Sequence, residues 1–221
     1  MRKRNIALIL AASMMATFAF GGTTTFAAEE GKTDSVTVGI MADPENMGPW
    51  SGMSQGRIAV LFTTYEYLLT RENGVAYGVL AKNWEAVDPK TYDVELYDYI
   101  HDAAGNPLTA SDVVFSFESA IATKNYGKLS VIDSVTAIDD YHVEFKFNKD
   151  LEIGEFENVM LECAIVTQAA YEASPDQMAT TPVGTSAYLV ESYVPGSEVV
   201  MKDTGNYWQT DESLVHGTSI H

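Results

Sequence analysis

The run Gly52-Met53-Ser54-Gln55-Gly56 spells G-x-S-x-G. In a hydrolase that spacing lifts a nucleophilic serine on a tight turn between a buried strand and a helix. Here Asn46-Met47-Gly48-Pro49-Trp50-Ser51 precedes it, and Gly with Pro does not build a buried strand. A loop leading into a helix is the better reading of Ser54. The four histidines, His101, His142, His216 and His221, form no H-x-x-x-H pair, and a zinc site needs three or four convergent ligands. Met41, Met47 and Met53 recur around the same loop. Thioethers suit Cu(I) or haem, but adaptable packing around a ligand, or plain core filling, asks less of them. Cys163 sits in the apolar run Met160–Val166 and reads as a small buried hydrophobe. Asp139-Asp140 falls in a turn, where Asp is favoured for local hydrogen bonding. No glycine-rich phosphate loop is present. These residues call for no enzyme, no cofactor and no metal.

Charge and targeting narrow the class. The chain has 221 residues, with 13 Lys+Arg against 31 Asp+Glu and a net charge of −18. Such a surface repels nucleic acid and anionic membrane. Hydrophobic residues at 46%, with 12 Tyr and 9 Phe, supply a core and exclude disorder as the main state. A single cysteine excludes an internal disulfide framework. Arg2, Lys3 and Arg4 precede an apolar stretch from Ile6 to Phe20, shorter than the ~20 residues of a membrane span. Thr25 and Ala27 then supply small residues at −3 and −1 of a cleavage site. Residues 1–27 therefore read as a signal peptide. The product is expected to be exported, to a periplasmic space or the medium, without a lipid-anchor cysteine.

The elements follow from periodicity. Ser35 to Ile40 alternates as a strand, and Met41 to Trp50 is a loop by its Pro and Gly content. Ile58, Leu61, Phe62, Tyr65, Leu68 and Leu69 predict a helix over 55–69. Leu80 to Val87 leads into a turn at Asp88-Pro89-Lys90. Tyr92, Val94 and Leu96 alternate as a half-buried strand. Thr109 and Asp112 fit a capping box ahead of a helix whose face carries Val113, Val114, Phe117, Ala120 and Ile121. Val131 to Ile138 and Tyr141 to Phe147 read as strands. Leu151 to Leu161 and Gln168 to Ala173 read as helices. A hairpin of Ala187–Val194 with Glu198–Lys202 turns at Pro195-Gly196. Hairpins with scattered helices, lacking regular βαβ alternation, predict an α+β (mixed α/β) class with a mixed sheet.

Four ordered segments resemble one family. They are Val36–Ile40 with Asp43-Pro44-Glu45-Asn46; Tyr65–Leu69 with Val79–Glu85; His101-Asp102 with Gly105–Phe117; and Thr181–Tyr188 with Tyr193–Gly196 and Asn206-Tyr207-Trp208. Together they resemble the extracytoplasmic solute-binding proteins of ABC transporters, oligopeptide/dipeptide/nickel family (family 5). The chain departs from the family at Ile100, at the inserted Ala103-Ala104, and at Ser186-Ala187. The resemblance implies a type II periplasmic-binding-protein-like fold in which residues 28–221 form the first lobe of a two-lobed protein, the second lobe being absent. It also implies capture of a small solute, chiefly a peptide, between lobes and delivery to permease subunits of an ABC transporter. It marks Met41, Asp43, Asn46, Met47 and Trp50 as ligand-facing. Trp50 and Met47 would supply apolar wall, Asp43 and Asn46 polar contacts; a turn role for Asp43 and a core role for Trp50 stand equally open. The alternative is a non-transporting exported lobe, a protein-interaction module or decayed gene product.

Overall fold

Strand β4 (Thr91–Leu96) shows how the pattern becomes a core. Its Tyr92, Val94 and Leu96 are buried, while Asp93 and Glu95 lie on the other face. In the computed structural model, which describes residues 37–215, β4 lies inside a four-stranded sheet. The order is β3 (Ala81–Asp88), β4, β6 (His142–Phe147), β5 (Ile132–Ala137). On the same face β6 adds Val143, Phe145 and Phe147. Helix α2 (Ala110–Thr123) covers this face with Val113, Phe117 and Ala120, and Phe117 meets Phe145 edge-on at 4.9 Å. Helix α3 (Ile153–Met160) adds Phe156, stacked on Tyr92 at 4.1 Å. Each such ring or branched side chain, fully buried, contributes about 1.5–3 kcal/mol.

Two small hairpins and two more helices complete the described residues. They are α1 (Gln55–Thr64), β1 (Leu69–Glu72) with β2 (Val75–Gly78), α4 (Gln168–Ala173), and β7 (Tyr188–Val194) with β8 (Glu198–Asp203). The α+β class stands, and the capping box at Thr109 forms as expected: Asp112 accepts from Thr109 N–H at 2.8 Å. Cys163 is buried.

Four expectations need correction. Every ladder among the described strands is antiparallel, so they assemble no mixed sheet; tight hairpins join neighbours, and this favours antiparallel pairing. Residues 37–40 pair with no described strand, and all four are exposed. Helix α1 ends at Thr64 rather than at Leu69. β-branched Thr63 and Thr64 and aromatic Tyr65 are mediocre helix formers, and Glu66 pairs in a bridge with Ile165 instead. Finally, 81–88 is a strand. As a sheet edge it buries little, and it lacks the alternation that reveals a half-buried strand. The signal-peptide reading lies outside the described residues, as does the polar segment after it.

Candidate functional site

The loop of residues 41–53 is fastened from several sides. Arg57, one turn into α1, donates from Nε to the Pro44 carbonyl at 2.9 Å and from Nη1 to the Ser51 carbonyl at 2.8 Å. Met47 N–H donates to the Ala179 carbonyl at 2.8 Å, and the buried Tyr65 hydroxyl donates to the Met47 carbonyl at 3.0 Å. Gly56 lets α1 approach closely: a Cβ there would lie 2.5 Å from the Ala42 and Asp43 carbonyl oxygens. Ser54 is the N-cap of α1, its hydroxyl accepting from Arg57 N–H. The G-x-S-x-G spacing is thus a loop-to-helix junction.

The five residues marked as ligand-facing separate. Met41 is 89% exposed, and Asn46 is exposed while its Oδ1 accepts from Gly48 N–H at 2.8 Å. Asp43 is half-buried and acts as a tether. Its carboxylate accepts from the Tyr193 hydroxyl and the Gly196 N–H of the β7–β8 hairpin, and from Glu45 N–H at 2.6 Å. Those bonds, the Tyr193 hydroxyl first, hold the Asp43 carboxyl below the usual carboxylate range. Met47 and Trp50 are 0% and 5% exposed. Trp50 packs at 5.0 Å from Tyr171, and its Nε1 donates to the Ala164 carbonyl at 3.0 Å. This chain's own residues cover both side chains.

Sequence reasoning missed a second feature beside the loop. A cavity of about 470 Å³ opens between the end of α1, β1 and the Leu161-Glu162 turn. Met53, Phe62, Tyr65, Tyr67 and Tyr126 line it, with Glu66. Glu66 accepts from the Tyr207 hydroxyl at 2.6 Å and from Trp208 Nε1 at 2.8 Å. Burial pushes its carboxyl up against the pull of these donors. Tyr67 and Tyr207 were quoted only as parts of sequence phrases; nothing in local periodicity shows that residues 66 and 207 meet. Among the described residues no group of three His, Cys, Asp or Glu is placed to hold a metal ion, and no helix is long and apolar enough to cross a membrane.

The fold matches solved type II periplasmic binding proteins. The oligopeptide-binding protein AppA of Bacillus subtilis, in complex with a nonapeptide, superposes with a TM-score of 0.66 at 21% identity, over 75% of this chain and 35% of that one. The substrate-binding protein CtaP of Listeria monocytogenes gives 0.65 at 27% identity, over 76% and 36%. The family model described as bacterial extracellular solute-binding proteins, family 5, middle, matches residues 76–219, and the chain belongs to that family. Among curated relatives, the nickel-binding protein NikA of Staphylococcus aureus is 28% identical over 151 residues, 67% of this chain and 30% of NikA. The periplasmic murein peptide-binding protein MppA of Escherichia coli is 21% identical over 201 residues, 80% of this chain and 37% of MppA. The chain spans about a third of the length of these relatives.

Proposed function

We propose that the chain is the first lobe of an extracytoplasmic solute-binding component of an ABC importer. It offers one wall to a peptide or similar small solute, and the closed complex delivers that solute to membrane permease subunits. Membership of family 5 across residues 76–219 carries this reading. The peptide preference draws on AppA, solved with a nonapeptide, and on MppA, named as a murein peptide-binding protein. It also draws on the exposed stretch 37–40, which belongs to no described strand and whose backbone is open to pairing with an extended ligand as an added strand. Within the loop, Met41 and Asn46 are the ligand-facing residues, and Asp43 positions them through the β7–β8 hairpin. Met47 and Trp50 support the loop from behind. The secretory leader at residues 1–27 and export belong to the same reading.

A second reading, an exported lobe that pairs with another protein, is favoured by one observation. Met53, Ile58 and Phe62 are large apolar side chains left exposed on or beside α1.

Photo-crosslinking separates the two. Tripeptides carrying a photoreactive central residue are irradiated with the full chain, and the label is located by mass spectrometry. Labelling concentrated in residues 37–46 is expected. Label no higher than with the free photoreactive amino acid, or label on the exposed face of the four-stranded sheet, contradicts the proposal.

A further inference from the structure

Six of the nine methionines lie among the described residues, and the fold sorts them by access. Met47, Met160 and Met178 are 0% exposed. Met47 packs with Val60 and Val190, and the Met178 sulfur lies 3.8 Å from the buried Tyr65 hydroxyl. Met201 is half-buried against the cluster that holds Met47. Met53 is 49% exposed, and Met41 is 89% exposed. Met41 therefore carries the most open thioether among the described residues.

Its place in the chain separates it from what fastens the loop. The contacts that hold the loop all begin after it. Gly56 presses on the Ala42 and Asp43 carbonyls. Asp43 accepts from the β7–β8 hairpin, Arg57 donates to the Pro44 and Ser51 carbonyls, and Met47 N–H donates to the Ala179 carbonyl. A change confined to the Met41 side chain leaves these contacts in place. A hydroperoxide must touch the sulfur to oxidise it, so an open thioether reacts first and a sealed one waits for the fold to open. With hydrogen peroxide, the sulfur lone pair attacks one peroxide oxygen. An S–O bond forms, the O–O bond breaks, and the other oxygen leaves with both protons as water. Sulfur gives up two electrons and the peroxide takes them. The sulfoxide is polar where the thioether was apolar. A ligand lying over it must strip water from the new oxygen, which costs free energy unless a donor replaces that water.

We infer that Met41 is a modification site, the methionine that hydroperoxides convert to the sulfoxide first, and that the sulfoxide weakens capture of a peptide while the loop behind it stays fastened. The site stands on exposure and on its place before the fastened loop. The effect on capture rests on the function proposed above.

Limited oxidation of the full chain with hydrogen peroxide, followed by peptide mapping, tests the site without any ligand. Sulfoxide is expected first at Met41, then at Met53, and about tenfold or more slowly at Met47, Met160 and Met178. In the oxidised chain, Met47 N–H is expected to keep its protection from hydrogen exchange. Zwitterionic tripeptides, followed by backbone-amide NMR, are expected to bind severalfold more weakly after oxidation. Methionine sulfoxide reductases A and B are expected to restore the binding. The loss on oxidation is expected to persist in Met53→Leu and to vanish in Met41→Leu. Oxidation of any of the three buried methionines as fast as Met41 overturns the site. Loss of Met47 N–H protection overturns the independence of the loop. Equal peptide affinity before and after oxidation, or a loss that persists in Met41→Leu, overturns the effect on capture. A chain that binds no tripeptide even before oxidation contradicts the proposed function and the effect on capture with it, while the oxidation map still decides the site.

Discussion

Asp43 and His142 show how one side chain's partners decide its role. Asp43 was marked for polar contact with a ligand, yet its acceptor capacity goes to Tyr193, Gly196 and Glu45. The Asp-Pro pair signalled a turn; that the turn is pinned by a hairpin 150 residues away could not be read locally. His142 lies on the polar face of its strand, where its Nδ1 meets Asp139 at 2.9 Å. The hydrogen bond to Asp139 raises the His142 pKa above 6.5. Asp139 is held below 3.8, first by Tyr141 N–H and then by His142. The histidine's contribution to stability is complete below 6.5 and lost as pH rises through its raised pKa. The aspartate's is complete above 3.8 and lost as pH falls through its lowered pKa. The pair therefore helps most between these limits, and modestly, because both side chains are largely solvated. In Asp139→Asn, the imidazole C–H resonances of His142 should titrate at a lower pH, toward 6.5. The stability lost in urea melts as pH rises from 6.5 through the raised His142 pKa should shrink.

Elements with one clear buried face were legible; elements held by distant partners were not. The helix behind Thr109 announced itself through its capping box and its apolar stripe, and it forms at 110–123. Strands β4 and β6 were equally plain, because each buries alternate residues. Strand β3 was missed because an edge strand with one buried residue leaves no period to read. Helix α1 was drawn too long because Tyr65, Leu68 and Leu69 keep apolar spacing after the backbone has left the helix. There Gly184 presses on the chain: a Cβ on it would sit 2.0 Å from the Thr64 carbonyl oxygen. Asp112 joins two elements. One oxygen accepts from Thr109 N–H at the start of α2, the other from Gln168 N–H at the start of α4, at 2.8 Å each. Asp112→Ala should therefore cost more than a single cap, about 1–3 kcal/mol. Chemical denaturation would register it, and hydrogen exchange would show Gln168 N–H losing protection together with the first turn of α2.

For the molecule as a whole, the α+β class and the family were legible from ordered phrases such as Gly105–Phe117 and Asn206–Trp208, and the comparisons place the chain in family 5. How the side chains of the 41–50 loop turn was legible only in part. Within residues 41–50, spacing does not say which side chains turn inward; Met47 and Trp50 do, and Met41 and Asn46 do not. The surplus of acidic residues makes binding of nucleic acid unfavourable. On the function proposed above, a lobe acting as one wall should hold a peptide weakly, in the millimolar rather than the micromolar range, equivalent to about −4 kcal/mol. Backbone-amide NMR reads binding of that strength. The full chain should be titrated with a mixture of zwitterionic tripeptides, and in parallel with the free amino acids in the same proportions. The expected result is saturable shifts at residues 37–46 with the peptides and not with the amino acids. Absence of any saturable peptide shift, or shifts centred on Asp93, Glu95 and Glu144 of the sheet's polar face, would contradict a solute-binding role for the loop.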